Sequence, residues 1–306
     1  MDGTNALEVL QMDQFERQTD ASSFYCNILS HHLKEHRHII TRPHKHNFFL
    51  TVVFTAGEGT HDIDFSQYKV QAGSVFMMAP GQVHCWTLSA DAEGYIFFHS
   101  QDFFDGYYSG RSVYQFPFFH STQNTPAIQL QEGDTLQLEE RCREMYMEYQ
   151  QDQDLRYAKL VALTDLVYLD LSRWYKPELD NTKNRGGGYH ARIQELWHLV
   201  DAHFAEHKSP AYYADRMHIT TKHLNRMVKS SLGKTSSDLI MDRVILEAKR
   251  QLMNQNISLS QIADILGYVD YAYFSRLFKA RTGLTPKTFR SDYAEDKDVW
   301  TRGATD

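Results

Sequence analysis

Lys222-His223-Leu224-Asn225-Arg226-Met227-Val228-Lys229 is followed by Gly233-Lys234-Thr235. Fifty positions later, Ala272-Tyr273-Phe274-Ser275-Arg276-Leu277-Phe278-Lys279 is followed by Gly283-Leu284-Thr285. Arg226 matches Arg276, Lys229 matches Lys279, Gly233 matches Gly283 and Thr235 matches Thr285. The apolar positions match as well: Leu224, Met227 and Val228 against Phe274, Leu277 and Phe278. Spacing of i, i+3, i+4 makes one buried helical stripe, so the cations between the apolar residues must face outward. Two such helices in register predict a duplicated module that meets the same kind of object twice.

Working outward, each copy is preceded by a shorter helical pattern. Ser209 is placed to cap a helix whose first turn holds Pro210, and Thr220 or Thr221 to cap the first repeated helix. A helix is expected over Ser236–Met253. Ser258 then caps a pattern with apolar Leu259, Ile262, Ala263 and Leu266; Gly267 makes a tight turn, Asp270 caps the second repeated helix, and Thr285-Pro286 opens a last helix ending near Tyr293. An amphipathic pattern, Ile193–Ala205, comes before all of these. Short helix, tight turn and second helix with outward cations is helix-turn-helix geometry, in which the second helix enters the DNA major groove. On that reading Lys222, Asn225 and Arg226 face the groove in the first module, and Tyr271, Ala272, Ser275 and Arg276 in the second. Arg suits guanine, and Lys229 and Lys279 near the helix ends suit phosphates. About 18 residues of connecting helix span about 27 Å, which with the turns spaces the two reading helices by about one duplex turn. One departure stands out: Met217 lies where the second module has Gly267, so the first turn must avoid the left-handed conformation or accept strain.

Charge follows the same division. The net charge is −7, yet residues 190–293 carry 15 Lys and Arg against 10 Asp and Glu, while residues 1–189 carry 15 against 25. The back part suits DNA and the front part does not. No apolar run approaches the roughly 18 residues of a membrane span. The start Met1-Asp2-Gly3-Thr4-Asn5 predicts no secretory leader. Cys26, Cys85 and Cys142 stand far apart without a CxxC, which predicts reduced thiols, a cytoplasmic protein and no zinc finger.

The stretch Ile262-Ala263, Gly267-Tyr268, Asp270, Tyr273-Phe274-Ser275-Arg276, Phe278-Lys279, Gly283, Thr285-Pro286 and Phe289-Arg290 resembles the signature of AraC/XylS-type transcription regulators. The resemblance covers about 30 residues with specific spacing. It implies a two-module DNA-binding domain at 190–293, a sequence-specific regulator, most often an activator, and RNA polymerase as a partner.

The front half, from about residue 24 to 100, reads as short strands separated by Gly and Pro turns: Phe48–Phe54, His61–Phe65, Ser74–Ala79 and Tyr95–Phe98. Such strands predict an antiparallel barrel or sandwich. Residues 1–22 read as a loose polar arm. His44-Lys45-His46, with Gly73 and Pro80-Gly81-Gln82-Val83-His84 downstream, resembles a cupin barrel. In that resemblance His44, His46 and His84 match metal-binding histidines, but the glutamate is missing, since Asn47 to Val52 holds no acid. The expectation is therefore no metal or other cofactor, with these histidines, Arg42 and Trp86 contacting a small-molecule effector such as a sugar or other metabolite; Arg42 could grip an anion, and His99 could also face the cavity. Helical patterns at Leu136–Tyr149 and Leu155–Trp174 either pack on the barrel or form the dimerisation element that the family resemblance implies.

The chain is thus expected to be α+β: an N-terminal antiparallel cupin-like β-barrel with a helical dimerisation element, and a C-terminal all-α domain with two helix-turn-helix modules. The boundaries are 1–175 for the effector-binding and dimerisation domain, 176–189 for a glycine-rich linker, 190–293 for the DNA-binding domain and 294–306 for a tail. The function is a non-enzymatic regulator that binds double-stranded operator DNA as a homodimer under effector control. A metal-dependent cupin enzyme with a helical interaction domain is the alternative, opposed by the missing carboxylate. A non-specific architectural DNA protein is opposed by the modest +5 of the basic segment.

Overall fold

The computed structural model describes residues 7–15, 23–40, 42–108, 111–120, 124–175 and 190–292. The chain divides into two compact units, Glu8–Glu178 and the chain from Leu179 onward. The expected linker 176–189 and tail 294–306 lie outside the described residues.

The first unit carries β1 (Glu8–Leu10), β2 (Phe24–Ile28), α1 (Leu29–Ile40), β3 (His44–His46), β4 (Phe49–Ala56), β5 (Gly59–Ile63), β6 (Ser66–Val70), β7 (Ser74–Met78), β8 (Val83–Leu88) and β9 (Glu93–His99). A short α2 (Gln101–Asp105), β10 (Ala127–Gln129), α3 (Glu132–Gln150) and α4 (Arg156–Trp174) complete it. The strands form two separate five-stranded sheets, ordered β1-β3-β8-β5-β6 and β10-β7-β4-β9-β2. The described strands form a two-sheet sandwich, and no closed barrel is found among the described residues, where a cupin-like β-barrel was expected.

Period-2 alternation decides what each face buries. Leu50, Val52 and Phe54 of β4, Phe76 and Met78 of β7, and Ile96 and Phe98 of β9 share one core with Ile63 and Trp86 of the other sheet. Their strand neighbours Phe49, Val53, Val75, Met77 and Phe97 share a second core with Leu138, Cys142 and Met145 of α3 and Leu160, Val161, Val167 and Leu171 of α4. The second sheet is buried on both faces, which is why its strands read as dense apolar runs.

Two expectations are corrected here. The stretch 24–100 is not uniformly strands, because α1 interrupts it. Leu29 and His32 are buried at spacing i, i+3, and Ile40 closes the same helix against the sandwich. Burial drives His32 down to a pKa of about 3, so it packs as a neutral ring. The arm 1–22 is not loose where it is described. β1 pairs parallel to β3, Glu8 opposite His44 and Leu10 opposite His46, so the sheet is not purely antiparallel. Leu10, Met12 and Phe15 are buried in the sandwich core.

The second unit is helical: α5 (His190–His203), α6 (Pro210–Arg216), α7 (Thr221–Leu232), α8 (Ser236–Leu252), α9 (Leu259–Ile265), α10 (Tyr271–Thr282) and α11 (residues 286–292). The caps are those the sequence marks: Ser209, Thr220, Ser258 and Asp270 side chains each accept a backbone N–H of the first turn. Gly233 and Gly283 end α7 and α10 in the left-handed conformation.

The two turns are not superposable residue for residue. Met217 N–H donates to the Tyr213 carbonyl, and Met217 itself has φ −85°. The left-handed residue is the next one, His218, at φ 53°. In the second module Leu266 takes the place of Met217, and Gly267, at φ 74°, takes that of His218. The pairs Ile219 N–H to Ala214 carbonyl and Tyr268 N–H to Ala263 carbonyl confirm this register. Thr220 caps directly after Ile219, whereas Val269 stands between Tyr268 and Asp270. The second turn is therefore one residue longer, and the expected strain at Met217 falls on His218.

Candidate functional site

In α7 the stripe Leu224, Met227 and Val228 is fully buried, which turns Lys222, Arg226 and Lys229 to the exposed side. In α10 Phe274 and Phe278 are buried, Leu277 is half-buried, and Ala272, Arg276 and Lys279 are exposed. Tyr271 and Ser275 are half-buried. Arg226 Nη2 lies 3.2 Å from His223 Nδ1, and Lys229 Nζ donates to the Gly233 carbonyl (3.0 Å), capping its own helix. Arg276 makes no hydrogen bond or ion pair among the described residues.

Asn225 differs from expectation. It is half-buried, and its Oδ1 accepts from the Ser236 backbone N–H (3.2 Å) and from the Ser236 hydroxyl. Ser236 is wholly buried. Asn225 therefore anchors the start of α8 to α7, and its carbonyl oxygen is committed to that contact.

The modules are tied together inside the unit. Arg243 of α8 donates to Asp201 of α5 (2.6 Å) and to Glu247 (3.0 Å), and its guanidinium lies 4.1 Å over the Phe204 ring. Burial pushes the Glu247 carboxyl up, but the Arg243 and Arg250 charges outweigh it and hold the pKa near about 2. At the second turn, a Cβ on Gly267 would stand 2.0 Å from the Ala205 carbonyl oxygen. Lys208 Nζ donates to that same carbonyl (2.7 Å) and sits 4.6 Å over the Tyr268 ring. Arg281 of α10 pairs with Asp238 of α8 at 3.0 Å.

In the sandwich, His44 and His84 are register partners on β3 and β8, with ring centroids 4.3 Å apart. His46 lies 5.2 Å from His84. All three are buried, and strand pairing brings them together as the sequence suggested. His61 is a member that sequence reasoning missed. It lies on β5 opposite Trp86, its ring 4.5 Å from Phe76 of the other sheet. Its signal was a histidine at the inward position of the alternating run His61–Phe65.

Hydrogen bonds fix the tautomers. His44 Nδ1–H donates to the Arg42 carbonyl and His46 Nδ1–H to the Phe48 carbonyl, each at 2.8 Å, leaving each Nε2 as a lone-pair acceptor. His61 Nε2 and His84 Nδ1 share a hydrogen bond of 2.9 Å. Burial lowers every ring's pKa: His44 to about 4 and His46 to about 3, His46 aided by the charge of His44. His61 and His84 also fall well below the usual value, by burial and then the neighbouring imidazoles. The cluster is neutral at pH 7. His46 Nε2, His84 Nε2, His61 Nδ1 and Trp86 Nε1 are buried and have no hydrogen-bond partner among the described residues. Among the described residues, no group of three or more His, Cys, Asp or Glu is arranged to hold a metal ion.

Two expected members lie elsewhere. Arg42 is exposed and contributes its carbonyl to His44. His99 is on the opposite face of its sheet, where its Nε2 accepts from the Tyr168 hydroxyl of α4 (2.8 Å) and its Nδ1–H donates to the Ser100 carbonyl (2.8 Å). Odd and even positions of β9 face different cores, which removes His99 from the sandwich interior.

Comparison with known proteins agrees with this architecture. A helix-turn-helix domain family matches residues 213–292, and the AraC-like ligand binding domain family matches residues 26–158. The uncharacterized HTH-type transcriptional regulator YfiF of Bacillus subtilis is 22% identical over 265 residues, covering 85% of this chain and 82% of that protein. The HTH-type transcriptional activator RhaS of Pectobacterium carotovorum is 23% identical over 251 residues, covering 81% of this chain and 86% of that protein. The arabinose operon regulatory protein of Salmonella typhimurium is 22% identical over 264 residues, covering 82% and 86%. The chain belongs to the AraC family of transcription regulators. It joins a helix-turn-helix DNA-binding part to an AraC-like ligand-binding part, and no described helix is long and apolar enough to cross a membrane.

Proposed function

We propose that this chain is a sequence-specific transcription activator whose hold on its operator is set by a small molecule bound inside the sandwich. The observation that carries the reading is the pair Arg226 and Arg276. Both are exposed at the same position of two capped helices within one compact unit. Lys222 and Arg226 read the first groove segment, and Tyr271, Ala272, Ser275 and Arg276 the second, while Lys229 and Lys279 meet phosphates. Asn225 acts by holding α8 in place. RhaS, one of the relatives, is named an activator, which supports that sign of regulation and RNA polymerase as a partner.

The effector reading rests on the orphaned polar atoms of His46, His61, His84 and Trp86. They offer hydrogen bonding without formal charge, which suits an uncharged metabolite such as a sugar. Arg42, being exposed, has no anion-gripping role in that interior. A ligand acts by binding one arrangement of the protein better than another. Leu166 and Leu169 on the outer face of α4, with Leu136 and Met147 on α3, are exposed and supply the apolar surface for a homodimer.

The test is a duplex selected from a random pool by the full-length protein. Arg226→Ala and Arg276→Ala should each weaken binding to it by roughly 1–3 kcal/mol. Equal affinity of the folded variants and the parent chain would overturn the assignment.

A further inference from the structure

The two reading helices present different chemistry at their leading ends. In α7 the first exposed positions are Thr221 and Lys222, with half-buried His223 beside them. In α10 the corresponding positions are half-buried Tyr271, exposed Ala272 and Tyr273, which is 52% exposed. The longer second turn adds Val269, which is fully exposed and has no counterpart in the first module. Asp270 separates Val269 from the helix and is occupied in capping, its side chain accepting the Ala272 N–H at 2.8 Å. Val269, Ala272 and Tyr273 are each exposed at the start of α10, and Ala272 precedes Arg276 by four residues, about one helical turn.

A single exposed apolar residue is ordinary on a protein surface; what sets α10 apart is that Ala272 stands where α7 has Lys222. In the major groove one apolar group is on offer, the 5-methyl of thymine, and alanine-sized side chains are suited to meet it. A lysine at the same place, as in α7, instead seeks guanine acceptors or phosphate. We infer that the second module reads thymine through its methyl group, with Ala272 as the contacting residue and Val269 and Tyr273 flanking it, while the first module reads guanine and phosphate. This inference rests on the DNA-binding role proposed above.

The experiment uses the full-length protein and a duplex it has selected from a random pool. The half-site of the second module is located as the one whose base preference is lost in Arg276→Ala. Each thymine there is then replaced by uracil, which keeps every hydrogen-bonding group and removes the methyl alone. At one or two positions the replacement should weaken binding about three- to fivefold, the effect of losing one buried methyl group. Ala272→Ser, a small exposed replacement that leaves the helix intact, should bind the thymine and uracil duplexes within twofold of each other. Selected sites lacking thymine in that half, or equal binding of thymine and uracil duplexes by the unaltered protein, would overturn the inference while leaving DNA binding standing. Failure to bind any duplex would overturn both.

Discussion

Single residues set the geometry of the two helix-turn-helix modules, and the two turns show how. Gly267 is left-handed and lies against the Ala205 carbonyl, so a methyl group there meets both a disfavoured backbone conformation and a backbone oxygen 2.0 Å away. Gly267→Ala should destabilise the protein by at least about 2 kcal/mol, the left-handed penalty alone being about 1–2. His218 occupies the same conformation without glycine, and His218→Gly should change stability by no more than about 1 kcal/mol in either direction, since relieved strain is offset by added chain entropy. Urea unfolding decides this; equal midpoints for Gly267→Ala and the parent chain would contradict it. Asn225 yields a different kind of test. Asn225→Ala should lose roughly 1 kcal/mol of stability as the Ser236 contacts go, with base preference unchanged. A changed selected sequence would return Asn225 to the groove. The ungapped repeat hid the turn's true register, because a single inserted residue, Val269, sits between two stretches that align without it.

At the scale of elements, what was legible in the sequence is what periodicity carries. The repeated helices, their caps and the strands β4, β5, β7 and β9 stood out because a long stripe, a dense apolar run or a clean alternation has few readings. α1 did not, since its inward side is built from His32 and His36 as well as leucines, and histidine reads as polar until burial removes its charge. β1 did not, because three residues carry no period and its place comes from pairing with β3. His61 and His99 show the remaining gap: both are buried histidines on strands, but only the sheet in which each sits, and the face it takes there, decides whether it joins His44 and His84. The histidine cluster also makes the sandwich acid-sensitive. Folding lowers the pKa of His44 to about 4 and of His46 to about 3 from 6.5. Between those values the unfolded chain binds more protons than the folded one, so stability is complete above about pH 6.5 and is lost as pH falls toward 4 and then 3. Thermal unfolding of the first unit should therefore move to lower temperature beginning near pH 6.5, before carboxylates titrate. A melting temperature flat from pH 7 to 5 would contradict the buried neutral cluster.

For the whole molecule, charge and architecture divide the work. The acidic stretch 1–189 contains a sandwich whose apolar interior holds a neutral histidine cluster, and the basic stretch 190–293 holds two helix-turn-helix modules braced on α5 and α8. α8, 17 residues long, spans about 26 Å. Arg243 with Asp201 holds α8 on α5, while Gly267 against Ala205 and Arg281 with Asp238 tie the second module to α5 and α8. The decisive measurement is a hydroxyl-radical footprint of the full-length protein on its selected duplex. Two protected patches should appear on one face of the DNA, about 10 base pairs apart; Arg226→Ala should erase one and Arg276→Ala the other. A single patch, or the same patch lost in both variants, would contradict the claim that one chain reads two successive grooves.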